Sequence, residues 1–266
     1  MEQSIQISFL ITHYNRFENL EICINAIRKS NIKFNYEIVI SDDGSEKQIQ
    51  NKILKLDVDQ KILSERNYGL AHNMNKGIKS CKGEFIFYCQ DDFLINTDSN
   101  FCEVFEEAVL LLVMNKLDLI RFRSNYFFPS LIPISKSVFK IPKFSFKNFL
   151  VNAFQYSDNP FLIKKNFYDN FGYYLENTSP DYGEAEFAIR IFSSKARIGI
   201  VNNGLIKDLE FSLSVVRANI TPVIKNKKIN KRIKQYLRAF RMHFESIFYK
   251  SSQRGLITYK NKYKKC

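Results

Sequence analysis

The chain has 266 residues, 45% of them hydrophobic, and a formal net charge of +13. That much apolar material can bury a full core and excludes an intrinsically disordered chain. The five cysteines (Cys23, Cys81, Cys89, Cys102, Cys266) contain no C-x-x-C pair and the three histidines (His13, His72, His243) lack H-E-x-x-H spacing, which excludes a disulfide scaffold and a zinc knuckle and suits a reducing cytoplasm.

In chain order, Ile5 to Ile11 reads as a buried strand, Phe17 to Ser30 as an amphipathic helix and Tyr36 to Ser41 as a second strand. Helix follows at Lys47 to Leu56, strand at Lys61 to Glu65, helix at Ala71 to Cys81 and strand at Glu84 to Cys89. A buried helix at Phe101 to Asn115 and a strand at Asp118 to Arg123 complete a βαβ repetition, which predicts a doubly wound, mostly parallel sheet in the first ~125 residues. Phe127 to Phe149, with Pro129, Pro133 and Pro142 and no sustained period, reads as a loop or a mobile lid. Order returns at Asn159 to Gly172. Tyr182 to Ser194 then has a helical period whose first turn holds Glu184 and Glu186, where carboxylates favour the helix dipole.

The net charge is concentrated at the C-terminal end. Residues 225–266 hold 14 Lys or Arg against one acid, Glu245, while residues 1–224 balance. Their basic residues interleave with Tyr236, Leu237, Phe240, Phe244, Ile247, Phe248 and Tyr249. That pattern predicts either a helix lying on an anionic membrane surface or a helix packing its aromatic stripe on the body. No helix-turn-helix, RNP or zinc-finger pattern supports a nucleic-acid partner. No apolar run reaches the ~20 residues of a membrane span, and no signal-peptide pattern is visible, so a soluble or peripheral protein is expected.

Two segments combine a short apolar run with an abrupt acidic end: EIVISDDGS, Glu37 to Ser45, and GEFIFYCQDDF, Gly83 to Phe93. Buried parallel strands look like this where their carboxyl ends open into a binding crevice. Asp42 and Asp43, before the turn residues Gly44 and Ser45, offer acceptors for a base or ribose, or else close an ordinary D-G turn. Asn67, Gly69, Asn73 and Asn75 open a helix and suit phosphate or ribose contacts, or plain capping. His13 is expected to make a polar contact to base or phosphate.

Together with SFLITHYNR (Ser8 to Arg16), RNYGLAHNMNKGIKSCKGEFIFYCQDDF and YGEAEFAIR (Tyr182 to Arg190), these segments resemble the family 2 inverting glycosyltransferases of the GT-A fold, closely over the first ~95 residues. The resemblance implies an α/β GT-A domain at 1–224, with a nucleotide-sugar half at 1–125 and an acceptor half at 126–224, followed by a basic helical tail at 225–266. It implies donor contacts from Thr12, Tyr14, Asn15, Arg16, Asp42, Asp43, Asn67, Gly69, Asn73 and Asp91. In the D-x-D register Gln90 stands at the first acidic position, Asp91 at the variable one and Asp92 at the second, making Asp92 the ligand of a divalent cation, Mn²⁺ or Mg²⁺. Aligned from Arg190, Glu184 falls at the catalytic base with Asp181 as rival, Gly183 replaces an acid, and Asp208 could substitute for a later metal-binding His.

The expected reaction moves a sugar from a nucleotide-diphosphate-sugar donor to a glycan or lipid-linked acceptor in bacterial cell-surface polysaccharide synthesis, at the cytoplasmic face of the membrane. The alternatives are a sugar nucleotidyltransferase, whose Gly-rich G-x-G-T-R loop is missing from Thr12 to Arg16, and a non-catalytic nucleotide-sugar or polyanion-binding module.

Overall fold

The computed structural model describes residues 6–201, 204–209 and 231–258. Its elements in chain order are β1 (Ile7–His13), α1 (Phe17–Lys29), β2 (Tyr36–Asp42), α2 (Lys47–Leu54), β3 (Gln60–Leu63), α3 (Leu70–Ser80), β4 (Phe85–Gln90), β5 (Phe93–Ile95), α4 (Phe101–Val113) and β6 (Leu119–Arg121). There follow β7 (Ile132–Pro133), β8 (Val138–Lys140), a 3-10 turn (Asn152–Phe154), β9 (Phe161–Lys164), α5 (Phe167–Phe171), α6 (Pro180–Ser193), β10 (Ile198–Val201), β11 (Ile206–Asp208) and α7 (Lys231–Phe248).

The main sheet has nine strands in the order β3-β2-β1-β4-β9-β6-β10-β8-β7. β1 is buried along its whole length because it is covered on both faces, which is why its sequence is a continuous apolar run. Alternate residues point to opposite faces. Phe9 and Ile11 pack with α1 and α4 residues such as Leu20 and Phe105, whereas Leu10 meets Met74 and Ile78 of α3 and Phe187 of α6. Gly77 lets α3 lie close on the sheet, since a Cβ there would come within 3.0 Å of the Ser41 Cβ. This close packing brings the first turn of α3 to the carboxyl edge of β1 and β2.

β9 runs antiparallel between β4 and β6, pairing Tyr88 with Phe161. A strand that enters the sheet backwards delivers its preceding loop, not its following one, to the edge where the parallel strands end. Residues 155–160 therefore arrive beside Gln90.

Phe127 to Phe149 is not a structureless loop or lid. Val138 to Lys140 pairs antiparallel with β10, and Ile132–Pro133 forms the outermost strand, where a proline that lacks an N–H is tolerated. Helix α6 begins at Pro180, capped by the Ser179 side chain, so Asp181 is its first-turn acid and Glu184 lies a turn later than expected. A separate two-stranded ribbon pairs β5 with β11.

The described part of the basic tail packs on the body. Met242 and Leu256 are buried with Phe154, Tyr182 and Phe192, and the Tyr249 hydroxyl donates to Glu186 at 2.6 Å. The acid of α7, Glu245, is buried and accepts the Ile257 amide at 2.8 Å, which folds the chain back after the helix. Residues 225–230 and 259–266 of the expected tail lie outside the described residues. No described helix is long and apolar enough to cross a membrane.

Candidate active site

The register His13↔Asp42 and Thr12↔Gln90 aligns the ends of β1, β2 and β4 in one row. Beyond β2, the Asp42 carboxylate accepts the Ser45 amide at 3.0 Å, the Ser45 hydroxyl, and Gln50 Nε2 at 3.2 Å, the self-bonding turn that aspartate favours. Gly44 has φ of +74°, and a Cβ there would overlap the Arg66 backbone, so only glycine fits. Asp43 accepts the amides of Tyr68 and Gly69, both at 2.9 Å. Burial raises its pKa, and those two N–H groups counter part of the rise.

Asn15, in the left-handed region at φ 57°, donates its amide to Ser45 Oγ at 2.8 Å and accepts the Glu46 amide at 2.9 Å. Asn73 donates to the Ser41 carbonyl at 2.9 Å and accepts the Ser41 hydroxyl at 2.7 Å. The Thr12 hydroxyl meets the Tyr88 hydroxyl at 3.2 Å. Thr12, Asp42, Asp43 and Asn73 are thus buried and hold the crevice walls, whereas Asn67 is exposed and Tyr14, Arg16 and Gly69 are half-buried at the rim.

Behind that rim lies a cluster of charges. Asp91 is fully buried, 2.7 Å from His13 Nδ1 and ion-paired with Arg16, whose other terminal nitrogen reaches Asp92 Oδ2 at 3.1 Å. His13, expected to touch base or phosphate, is turned inward to Asp91, with Nε2 3.9 Å from Asp42 Oδ1 and without a hydrogen-bond partner. Burial raises the Asp92 carboxyl, the charge of Arg16 opposes the rise, and the charge of Asp91 adds to it.

Asp92 Oδ1 is buried without a hydrogen-bond partner, an oxygen suited to a hard cation. Among the described residues no three His, Cys, Asp or Glu converge on one point. Magnesium-type sites commonly use only one or two carboxylates and complete their shell with water and substrate phosphates, so Asp92 fits such an ion. Asp208 is drawn close by β11, with the Leu209 amide donating to the Asp92 carbonyl at 3.0 Å, but its carboxylate is ion-paired with Arg123.

Across the edge, Gln90 Nε2 donates to the Asp158 carbonyl at 3.2 Å, and the Asp158 amide donates to Glu184 Oε1 at 3.4 Å. The backbone of one residue thus joins the end of β4 to α6. Asp158 also accepts the Tyr156 hydroxyl at 2.6 Å. Burial, then the charge of Glu184, pushes Asp158 up to about 8. Glu184 is likewise raised by burial, with the Asp158 N–H, Arg121 and Arg238 pulling the other way. Two neighbouring carboxylates whose pKa values are raised in a cleft are the environment expected of an acid–base group.

Glu184 is half-buried and forms part of the wall of two hollows, one with Leu70 and Ala71 at the start of α3, the other with Arg238 and Arg241 of α7. Asp181 is exposed on the second hollow only. Glu186 faces inward to Arg190, Tyr249 and Arg254, tying α6 to the tail. At Gly183 a Cβ would lie 2.9 Å from Thr178 Oγ1, so a side chain there would require Thr178 to shift.

Sequence reasoning missed Asp158, Arg121 and Arg238. Arg121 stood as a charge inside an apolar strand. It is fully buried and donates to the carbonyls of Phe154 at 2.9 Å and Gln155 at 3.2 Å, which fixes the loop that carries Asp158. Asp158 was visible only as part of a Ser-Asp-Asn-Pro turn, and the backward strand that brings it to the edge left no local signal.

Residues 8–109 match the family model described as "Glycosyl transferase family 2". Over 100 residues, 36% of this chain and 28% of the relative, the sequence is 33% identical to "Putative glycosyltransferase EpsH" of Bacillus subtilis (strain 168). Staphylococcus aureus TarS 1-349 in complex with UDP-GlcNAc superposes with a TM-score of 0.62 at 15% identity, covering 94% of this chain and 69% of that one. The mannosyltransferase PcManGT of Pyrobaculum calidifontis, in complex with GDP-Man and Mn²⁺, gives 0.51 at 13% identity, covering 76% and 55%. The chain thus spans little more than a quarter of its curated relative, and these structural likenesses establish the fold. The acidic turns of β2 and β4 both lie within the matched stretch, so residues 8–109 are similar to glycosyl transferase family 2 sequence, and the chain shares the GT-A type of fold seen in TarS.

Proposed function

We propose that this protein is a glycosyltransferase that moves a sugar from a nucleotide-diphosphate-sugar donor to a hydroxyl of a glycan or lipid-linked acceptor, with inversion, in cell-surface polysaccharide synthesis. The observation that carries this reading is the chain of hydrogen bonds from Gln90 through the Asp158 backbone to Glu184, which links a carboxylate of raised pKa to the strand end that carries Asp91 and Asp92.

Inversion is a single displacement. The acceptor oxygen attacks the anomeric carbon as the bond to the diphosphate breaks, the diphosphate keeps the electron pair, and one base takes the hydroxyl proton. Glu184 is that base in our reading, because its carboxylate borders both hollows whereas Asp181 is exposed on one. Tyr14, Asn15, Arg16, Asn67 and Gly69 meet the donor at the rim. Thr12, Asp42, Asp43, Asn73 and Asp91 hold those groups from behind. Asp92 would hold a divalent cation, Mn²⁺ or Mg²⁺, which when bound neutralises charge on the diphosphate.

The outward side of α7 carries Ile233, Leu237, Phe240, Phe244 and Ile247, all exposed and spaced along one stripe among basic residues. That arrangement supports a peripheral seat on the anionic inner surface of the cell membrane. The test is a thermal-shift panel of UDP, GDP, CDP and dTDP and their sugars with and without Mn²⁺ or Mg²⁺, since a ligand of the native state alone raises its stability. A cation-dependent shift for one nucleotide is the expected result; no shift across the panel by a folded sample would overturn the reading.

A further inference from the structure

Inversion requires the acceptor to approach Glu184 from the side away from the leaving diphosphate, and the second hollow bordering Glu184 opens under α7. Its volume is about 270 Å³, and its wall includes Tyr126, Phe154, Asp181, Glu184, Arg238 and Arg241. This is close to the ~300 Å³ lower limit of ligand pockets and suits one terminal sugar unit with a charged group better than a length of chain.

Tyr126 and Phe154 stack with centroids 4.6 Å apart. Arg238 lies over Phe154 with its guanidinium carbon 4.2 Å from the centroid and donates to the Tyr126 hydroxyl at 2.9 Å. Among the described residues Arg238 has no carboxylate in ion-pair contact, unlike Arg16, Arg123, Arg190 and Arg197. A guanidinium has five N–H donors in a rigid fork and recognises phosphate bidentately. Held against rings, with the Glu184 charge acting across the hollow but no carboxylate in ion-pair contact, it is preorganised for an anion that arrives from outside.

We propose that the hollow between α6 and α7 is the acceptor subsite and that Arg238 binds a phosphate carried by the acceptor sugar. This rests on Glu184 as the base. It makes the tail helix part of the substrate site as well as a surface feature.

The test is a binding titration of the full chain with glucose 1-phosphate, methyl glucoside and inorganic phosphate as probes. Wild type, Arg238→Ala and Arg238→Lys are compared, with side-chain N–H resonances of arginine followed by NMR and thermal stability as a folding control. Saturable binding of glucose 1-phosphate, tighter than either other probe, is expected. Arg238→Ala should weaken it about tenfold or more, the scale of a lost hydrogen bond to a charged group, and Arg238→Lys should recover part of the affinity.

Several results would overturn the proposal: no saturable binding, equal affinity in Arg238→Ala, methyl glucoside binding as tightly, or inorganic phosphate binding as tightly. Displacement of the probe by phosphatidylglycerol vesicles would assign the arginine to lipid headgroups and overturn it as well. If glucose 1-phosphate binds through Arg238 while the nucleotide panel is silent, the transferase reading falls, and with it the acceptor assignment.

Discussion

Gln90 donates its side-chain amide to the Asp158 carbonyl at 3.2 Å, one residue before the Asp91–Asp92 pair. An acid there would face a carbonyl oxygen and leave it without its donor. The amide at this position is therefore tied to the loop before β9. Gln90→Glu should cost about 1–3 kcal/mol through that unsatisfied pair, seen as a fall in Tm of several degrees; an unchanged Tm would show that the loop does not depend on the amide.

Glu184→Gln should leave nucleotide affinity intact and lower turnover by about 10²–10⁴-fold, the usual worth of a positioned base. Asp181→Asn should stay within a few-fold of wild type. Because burial raises Glu184, the acid limb of the rate profile should lie above the ordinary glutamate value of ~4.3. Steady-state kinetics on both variants decides between the two acids.

Asp158 should make stability fall as pH rises. Its carboxyl is held up to about 8 in the fold, so between an unfolded value of ~4 and that pH the unfolded chain binds fewer protons than the folded one. The associated stability is present at the acid end of the window and lost through it. Asp158→Asn, which cannot ionise, should flatten this slope in denaturant unfolding followed from pH 5 to pH 8.

Arg16→Ala removes the guanidinium from two carboxylates, one of them fully buried. Breaking a buried pair from one side costs about 3–5 kcal/mol. Mn²⁺ should restore more Tm to this variant than it adds to wild type, because the cation offsets the same charge; equal increments would argue against a cation at Asp92.

The outward face of α7 can be tested without disturbing its packing. Leu237→Asp and Ile247→Asp alter exposed positions, whereas Ala239 and Met242 are buried. Both variants should keep the wild-type Tm and lose most of their salt-sensitive binding to anionic vesicles, measured by co-sedimentation.

How much of this was legible in the sequence depended on distance along the chain. β1, β2 and β4 announce themselves because strands buried on both faces are largely apolar, and β2 and β4 run directly into acidic turns. Spacing from Arg190 points to Glu184, and Arg190 does serve α6, though by bonding Glu186 and the Gly172 and Tyr173 carbonyls. Asp158 and Arg238 were not found, since each reaches the site by a long-range event: an antiparallel insertion in one case and a docked terminal helix in the other. The edge hairpin of β7 and β8 was missed because its strands are two and three residues long and lie among prolines.

The reversed direction of β9 also divides the molecule's capacity for change. Asp42, Asp43, Asp91 and Asp92 lie at or just after the end of a strand, whereas Asp158 lies on the stretch that enters one. Insertions or deletions in residues 142–157 would reshape the Glu184 side of the cleft while leaving the registers of β1, β2 and β4 untouched. Descendants of such a chain could exchange one partner of the reaction while inheriting the other unchanged.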